Sequence, residues 1–167
     1  MSDRDGAFAD YFAARSGAMR GTAFLLCGDW HRAEDLVQAA FTKLYLAWPR
    51  IDRHGALDAY ARRTLVRTFV SELRRGWFRR ERVGEPATEP AQVARGSAED
   101  RLVLLAALAR VPPRQRAVLV LRYWEDLSVG DTARALGCSE GTVKSQAARG
   151  LQTLRGLITP QQGEKVP

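Results

Sequence analysis

Cysteine and histidine are scarce in this chain. Cys27 and Cys138 are the two cysteines, and His31 and His54 the two histidines, among 167 residues. They form no set at metal-ligand spacing, which argues against a zinc site and a disulfide framework. Reduced thiols in a cytosolic protein fit this usage, and no cofactor is implied. Long apolar runs are also missing. The longest, "LVLLAALA" (Leu102–Ala109), is far too short to span a bilayer. The opening "MSDRDGAFADYF" carries mixed charge and lacks an apolar leader segment. These absences lead to the expectation of a cytoplasmic protein without a membrane partner. No alternating stretch bounded by turn signals reads as a strand. No convergent carboxylates suggest catalysis, because Glu34 and Asp35 are adjacent and point apart on a helix. An enzyme is therefore not expected, and neither catalytic nor metal-binding residues are assigned.

Positive charge is what the chain has in excess. Its formal net charge is +7 and its pI about 10.1, which favours an anionic partner. The excess is uneven. Residues 1–50 are neutral overall, residues 51–82 hold nine Arg against four Asp and Glu, and residues 112–158 hold seven basic against four acidic residues. The two basic blocks flank "VGEPATEPAQVARGS" (Val83–Ser97), with two prolines, two glycines and few large apolar side chains. Such a segment buries too little to order itself. It reads as a flexible linker, and one polyanion touched at two places would produce this pattern. The expected organisation is residues 1–82, a linker at 83–97, a helical domain at 98–158 and a disordered tail at 159–167.

Helical periodicity fills both halves. In the first, one helix starts around Phe8, Tyr11 and Phe12 and closes at Gly28. A second starts near Asp29 and stops at Pro49, and a third runs from about Ala56 to Gly76. In the second half, four helices follow one another. The first spans Ala98–Ala109, and the next opens at Pro112 and Pro113 and runs to Tyr123. Ser128–Leu136 and Ser139 to about Ile158 complete the set around a turn at Gly137. The fold class expected is all-α: two small helical domains, the C-terminal one a four-helix domain with a helix-turn-helix.

In that last pair, Ser128 and Ser139 suit N-caps, and Gly137 suits a turn requiring positive φ. Val129, Ala133 and Leu136 form the inner face of the first helix; Val143, Ala147, Leu151, Leu154 and Ile158 form that of the second. Glu140, Lys144, Ser145, Ala148 and Arg149 fall on the outer face, where a recognition helix meets the major groove. An αα-hairpin with a solvated basic face has the same periodicity. In the first basic block, "YARRTLVRTFVSELRRGWFRRER", arginines interleave with Tyr60, Phe69, Trp77 and Phe78. That mixture suits single-stranded nucleic acid, with rings stacking on bases, although Phe69 reads better as core. "HRAEDLVQAAFTKLYLAW" reads either as a core helix or as a protein-binding face carrying Glu34, Asp35 and Gln38.

Taken in order, these pieces resemble a sigma factor of the extracytoplasmic-function type, within the sigma-70 family. "AEDLVQAAFTKLYLAW" resembles the region 2 helix that docks on the β′ clamp helices of core RNA polymerase. "DAYARRTLVRTFVSELRRGWFRRE" resembles the segment that melts and reads the minus-10 element. "LLAALARVPPRQRAVLVLRYWEDLSVGDTARALGCSEGTVKSQAARGLQTLR" resembles region 4, which binds the minus-35 element and the β flap. Its "GTVKSQAARGLQTLR" ending is most similar to the actinobacterial SigE-like subgroup.

The resemblance implies polymerase contacts at Asp35 and Gln38, with Phe41 in support. It implies minus-10 contacts at Arg62, Arg63, Arg67, Ser71 and Trp77, and minus-35 contacts at Ser139, Glu140, Thr142, Lys144, Ser145 and Arg149. It makes core RNA polymerase and promoter DNA the partners, with an anti-sigma factor a candidate regulator. Arg67 stands where the family commonly has asparagine, so minus-10 preference does not transfer. Gln146 replaces a frequent arginine. The alternative is a LuxR-type helix-turn-helix regulator, but residues 1–82 lack the βα alternation of a receiver domain.

Overall fold

The computed structural model describes residues 2–51, 56–80 and 97–159. All elements among them are helical. The linker at 83–97, apart from Ser97, and the tail beyond Thr159 lie outside the described residues, as does the side chain of Trp77. In chain order the elements are α1 (Asp3–Cys27), α2 (Trp30–Ala47), a 3-10 turn (Trp48–Arg50), α3 (Leu57–Arg80), α4 (Ser97–Arg110), α5 (Pro113–Leu119), a π-helical segment (Val120–Trp124), α6 (Val129–Leu136) and α7 (Glu140–Ile158).

The helix ends follow local chemistry. α1 starts five residues earlier than its aromatic pattern suggests, because Ser2 and Asp5 form a reciprocal capping box. It closes on Gly28 at φ 74°, whose N–H donates to the Phe24 carbonyl at 2.7 Å. Asp29 caps α2, its Oδ1 accepting from the N–H groups of His31 and Arg32. Pro49 diverts the chain into the 3-10 turn. α3 does not stop at Gly76 but continues to Arg80. A lone glycine costs a helix about 1 kcal/mol against alanine, too little to end one without an αL cap or a proline.

α1, α2 and α3 enclose the larger core, in which Leu26, Leu36, Leu44, Leu65 and Val66 are fully buried. Phe8, Tyr11 and Phe12 all meet Phe41, with Phe12 at 4.7 Å between ring centres. At the α1–α3 contact, Asp58 accepts from the Tyr11 hydroxyl and pairs with Arg15 at 2.8 Å. Burial and this bond to Asp58 together push the Tyr11 hydroxyl far above its ordinary value.

The smaller core joins Val118, Ala133 and Val143, with Val129, Leu136, Cys138 and Ala147 around it. The two halves are not isolated from each other. Ala117, Val120 and Leu121 belong to the larger cluster, and Leu108, Leu127, Ala135 and Leu136 pack against it. The reason lies in "AVLVL" (Ala117–Leu121), where every residue is buried. A helix apolar all round must be covered on all sides. Val118 faces the helix-turn-helix, Ala117, Val120 and Leu121 face α1–α3, and Leu119 lies against Gly150 of α7.

Candidate functional site

The helix-turn-helix forms as its caps dictate. Ser128 Oγ accepts from the Asp131 N–H at 3.0 Å. Gly137 turns the chain at φ 67°, and the Cys138 N–H donates back to the Ala133 carbonyl. Ser139 Oγ accepts from the Thr142 N–H at 3.1 Å and starts α7. Val143 is 0% exposed and meets Ala133 and Val118, so α6 fixes the rotation of α7. Ile158 departs from its expected inner position: it is the last residue of α7 and is exposed.

That rotation leaves Ser139, Glu140, Thr142, Lys144, Ser145, Ala148 and Arg149 all exposed. Residues 140, 144, 145, 148 and 149 follow three- and four-residue spacing and form one stripe. Two hydroxyls at its start are partly committed. Ser139 Oγ lies 2.9 Å from Thr142 Oγ1 while serving as the cap, and Ser145 Oγ donates to the Thr142 carbonyl. Glu140 leans over α6, so that a Cβ added at Gly130 would sit 3.1 Å from its Oε1. Lys144 and Arg149 project as the free-reaching cations of the stripe, suited to phosphates or guanine edges. On α6, Asp131 is held below the ordinary carboxylate range by its bond from Arg134 and then by Ser128.

The sequence did not single out Gly150. It is buried, and a Cβ there would lie 3.1 Å from the Leu119 side chain. α7 and α5 therefore approach closely at this point. A glycine within an otherwise apolar-periodic helix face was the available signal.

The five expected residues on α3 divide. Arg63 and Arg67 are exposed, with the Arg63 guanidinium 6.0 Å from the centre of the Tyr60 ring. Arg74 and Arg75 extend this exposed basic face. Ser71 is half-buried. Arg62 turns the other way, its Nε donating to Glu125 at 2.6 Å. Phe69 is buried in the core, in keeping with its position in the sequence.

On α2, Asp35 and Gln38 are exposed one helical turn apart. Phe41 is 3% exposed and lies beneath this face, a place for support from below. Its aromatic neighbours on α1 pull it inward. Leu46, which no sequence motif marks, is 68% exposed and falls on the same face as Asp35, three turns on.

Both cysteines are free. Burial raises the Cys27 thiol, which donates to the Asp29 carbonyl, so it is not a reactive thiolate. Among the described residues no group of three or more His, Cys, Asp or Glu could hold a metal ion, and no helix is long and apolar enough to cross a membrane.

A two-part helical assembly with a built helix-turn-helix and separate exposed basic and acidic faces defines a DNA-binding transcription protein. Comparison with known proteins narrows this. Residues 12–79 match Sigma-70 region 2, and residues 101–154 match Sigma-70, region 4. The RNA polymerase sigma-E factor of Streptomyces coelicolor is 38% identical over 153 residues, which cover 89% of this chain and 84% of that protein. The ECF RNA polymerase sigma factor SigE of Mycolicibacterium smegmatis is 34% identical over 85% of this chain and 58% of its own length. A solved structure of the sigma factor RpoE in complex with the anti-sigma factor NepR, from Bartonella quintana, aligns with a TM-score of 0.70 at 26% identity. It covers 93% of this chain and 99% of that one.

The chain belongs to the sigma-70 family, as an RNA polymerase sigma factor of the extracytoplasmic-function group. Matches to both halves, in order, displace the LuxR-type alternative, which predicts a match to the helix-turn-helix alone.

Proposed function

We propose that this sigma factor docks on core RNA polymerase through α2, with Asp35 and Gln38 meeting the β′ clamp helices. Region 2 spans residues 1–82 and region 4 residues 98–158, the latter also meeting the β flap. α3 presents Arg63, Arg67 and Ser71, followed by Trp77, to the minus-10 element and helps open the duplex. α7 presents Lys144, Ser145 and Arg149 to the minus-35 element, with Ser139, Glu140 and Thr142 at its leading edge. The observation that carries this reading is the exposed Lys144–Arg149 stripe, set by the buried Val143.

Each module by itself binds promoter DNA weakly. Attachment to one polymerase makes the second contact effectively intramolecular and multiplies the two affinities. The chain is an initiation factor in the cytoplasm and no enzyme; polymerase performs the phosphoryl transfer. An anti-sigma factor is a further partner in this reading. Reconstitution with core polymerase tests it: promoter-specific run-off transcripts are expected only when the chain is added. Transcription from the same templates that is indifferent to the chain would contradict it.

A further inference from the structure

α7 rests on α5 at two points along one face. Val143 meets Val118 through a full, buried side chain. Gly150 lies two helical turns on, about 10 Å along the axis. There α7 offers no side chain, and its backbone comes down on Leu119. A Cβ at Gly150 would lie 3.1 Å from Leu119 Cγ and Cδ1, and 3.3 Å from Cδ2. Leu119 is itself buried, so it has little room to turn aside. Beyond Gly150, Thr153 Oγ1 donates to the Arg149 carbonyl at 2.9 Å and lies 3.3 Å from Gln115 Oε1 of α5.

Local propensity argues against a glycine here, because glycine is the poorest helix former after proline. The other two glycines of α7 are not crowded. Gly156 has no atom within 4 Å of its Cβ position, and Gly141 has only the Ser139 hydroxyl, at 3.8 Å. Gly150 alone of the three occupies a place from which a side chain is excluded.

The seat of α7 is therefore uneven. A valine side chain spaces it from α5 at one point, and nothing spaces it at the other. Lys144 follows the first point and Arg149 precedes the second. Both cations are exposed. How deeply α7 sinks at Gly150 sets how far Arg149 reaches relative to Lys144.

We infer that Gly150 is a positioning residue for the minus-35 reader: its missing side chain fixes the tilt of α7 on α5, and with it the relative reach of Lys144 and Arg149. The inference rests on the promoter reading above. Gly150 is buried and touches no base itself. Its effect falls on base choice more than on overall affinity. Hydrogen bonds to base edges have narrow limits of distance and angle, whereas a phosphate contact made by a long cation carries no sequence information.

Holoenzyme reconstituted from core polymerase and the full chain tests this on a promoter pool randomised across the minus-35 element. Native holoenzyme should enrich one minus-35 sequence. Gly150→Ala holoenzyme should enrich a broader or shifted set. Its preference for the native sequence over a scrambled one should fall by about threefold or more, a partial loss of one bidentate base contact worth about fivefold or more. The salt dependence of binding should stay the same, since the number of phosphates neutralised does not change. Core binding should also be unchanged. A glycine with only a structural role would show its loss in thermal unfolding and leave the selected sequence alone. Leu119→Ala combined with Gly150→Ala makes room for the added methyl and should restore the native preference. An unchanged preference in both Gly150→Ala and the bulkier Gly150→Val would overturn the role of Gly150. So would a double variant of native helical content that does not recover it. Native holoenzyme that enriches no minus-35 sequence would instead remove the promoter reading itself, and this inference with it.

Discussion

Gly137 holds the corner on which the proposed minus-35 reader depends. No atom lies within 4 Å of where its Cβ would be, yet its φ of 67° is left-handed. Gly137→Ala should therefore lose only the conformational term, about 1–2 kcal/mol, or a few degrees in a thermal melt. A change within error would mean that the corner relaxes. Gly28 shares the left-handed φ and also has Arg116 at 3.3 Å, so alanine there should be the more damaging. On the outer face, Lys144→Ala with Arg149→Ala should weaken holoenzyme binding to promoter DNA. Where a removed side chain reads a base edge, the cost should be about 1–3 kcal/mol; where it neutralises a phosphate, the salt dependence should fall by about one unit of slope. Binding of core polymerase should be unchanged; equal weakening of both would make α7 a purely structural helix. On α2, Asp35→Arg should abolish co-purification with core enzyme. Leu46→Ala should weaken core binding by about 1 kcal/mol or more while moving stability by no more than about 0.5 kcal/mol. Undiminished core binding in both variants would remove α2 from the docking surface.

At the scale of elements, the sequence was most legible where caps and breakers have strong local chemistry. Asp29, Pro49, Pro113, Ser128, Gly137 and Ser139 act where their types predict. It was least legible where tertiary packing decides. Gly76 resembles a terminator but lies inside α3. Periodicity placed Val143 inward and Lys144 outward, yet it could not show that Arg62 would leave the basic face, because its partner Glu125 is 63 residues away. Phe41 and Leu46 show the same limit on α2. Sequence pattern marked an acidic-apolar helix, but only packing reveals which apolar residue is beneath the surface and which is on it. "AVLVL", which runs from α5 into the π-helical segment, carried a readable signal, since five consecutive apolar residues imply cover on every side. Leu121→Ala tests that role. It removes a fully buried side chain from the larger core although the residue lies in the region 4 sequence. The expected loss is about 2–5 kcal/mol, measured by denaturant unfolding, and a loss under about 1 kcal/mol would show that the region 4 segment contributes little to that core.

For the whole molecule, the arrangement of charge and the arrangement of cores answer different needs. Two basic blocks on separate modules suit one long polyanion. The shared apolar cluster at Ala117, Val120 and Leu121 suits a compact free chain. In the proposed function polymerase resolves the two by offering each module its own seat, so that neither DNA contact must be strong alone. Footprinting on a promoter, with the chain alone, core polymerase alone and both together, tests this most directly. The expected result is protection of both the minus-10 and minus-35 elements only when chain and core are combined. Equal protection of both elements by the chain without polymerase would contradict it.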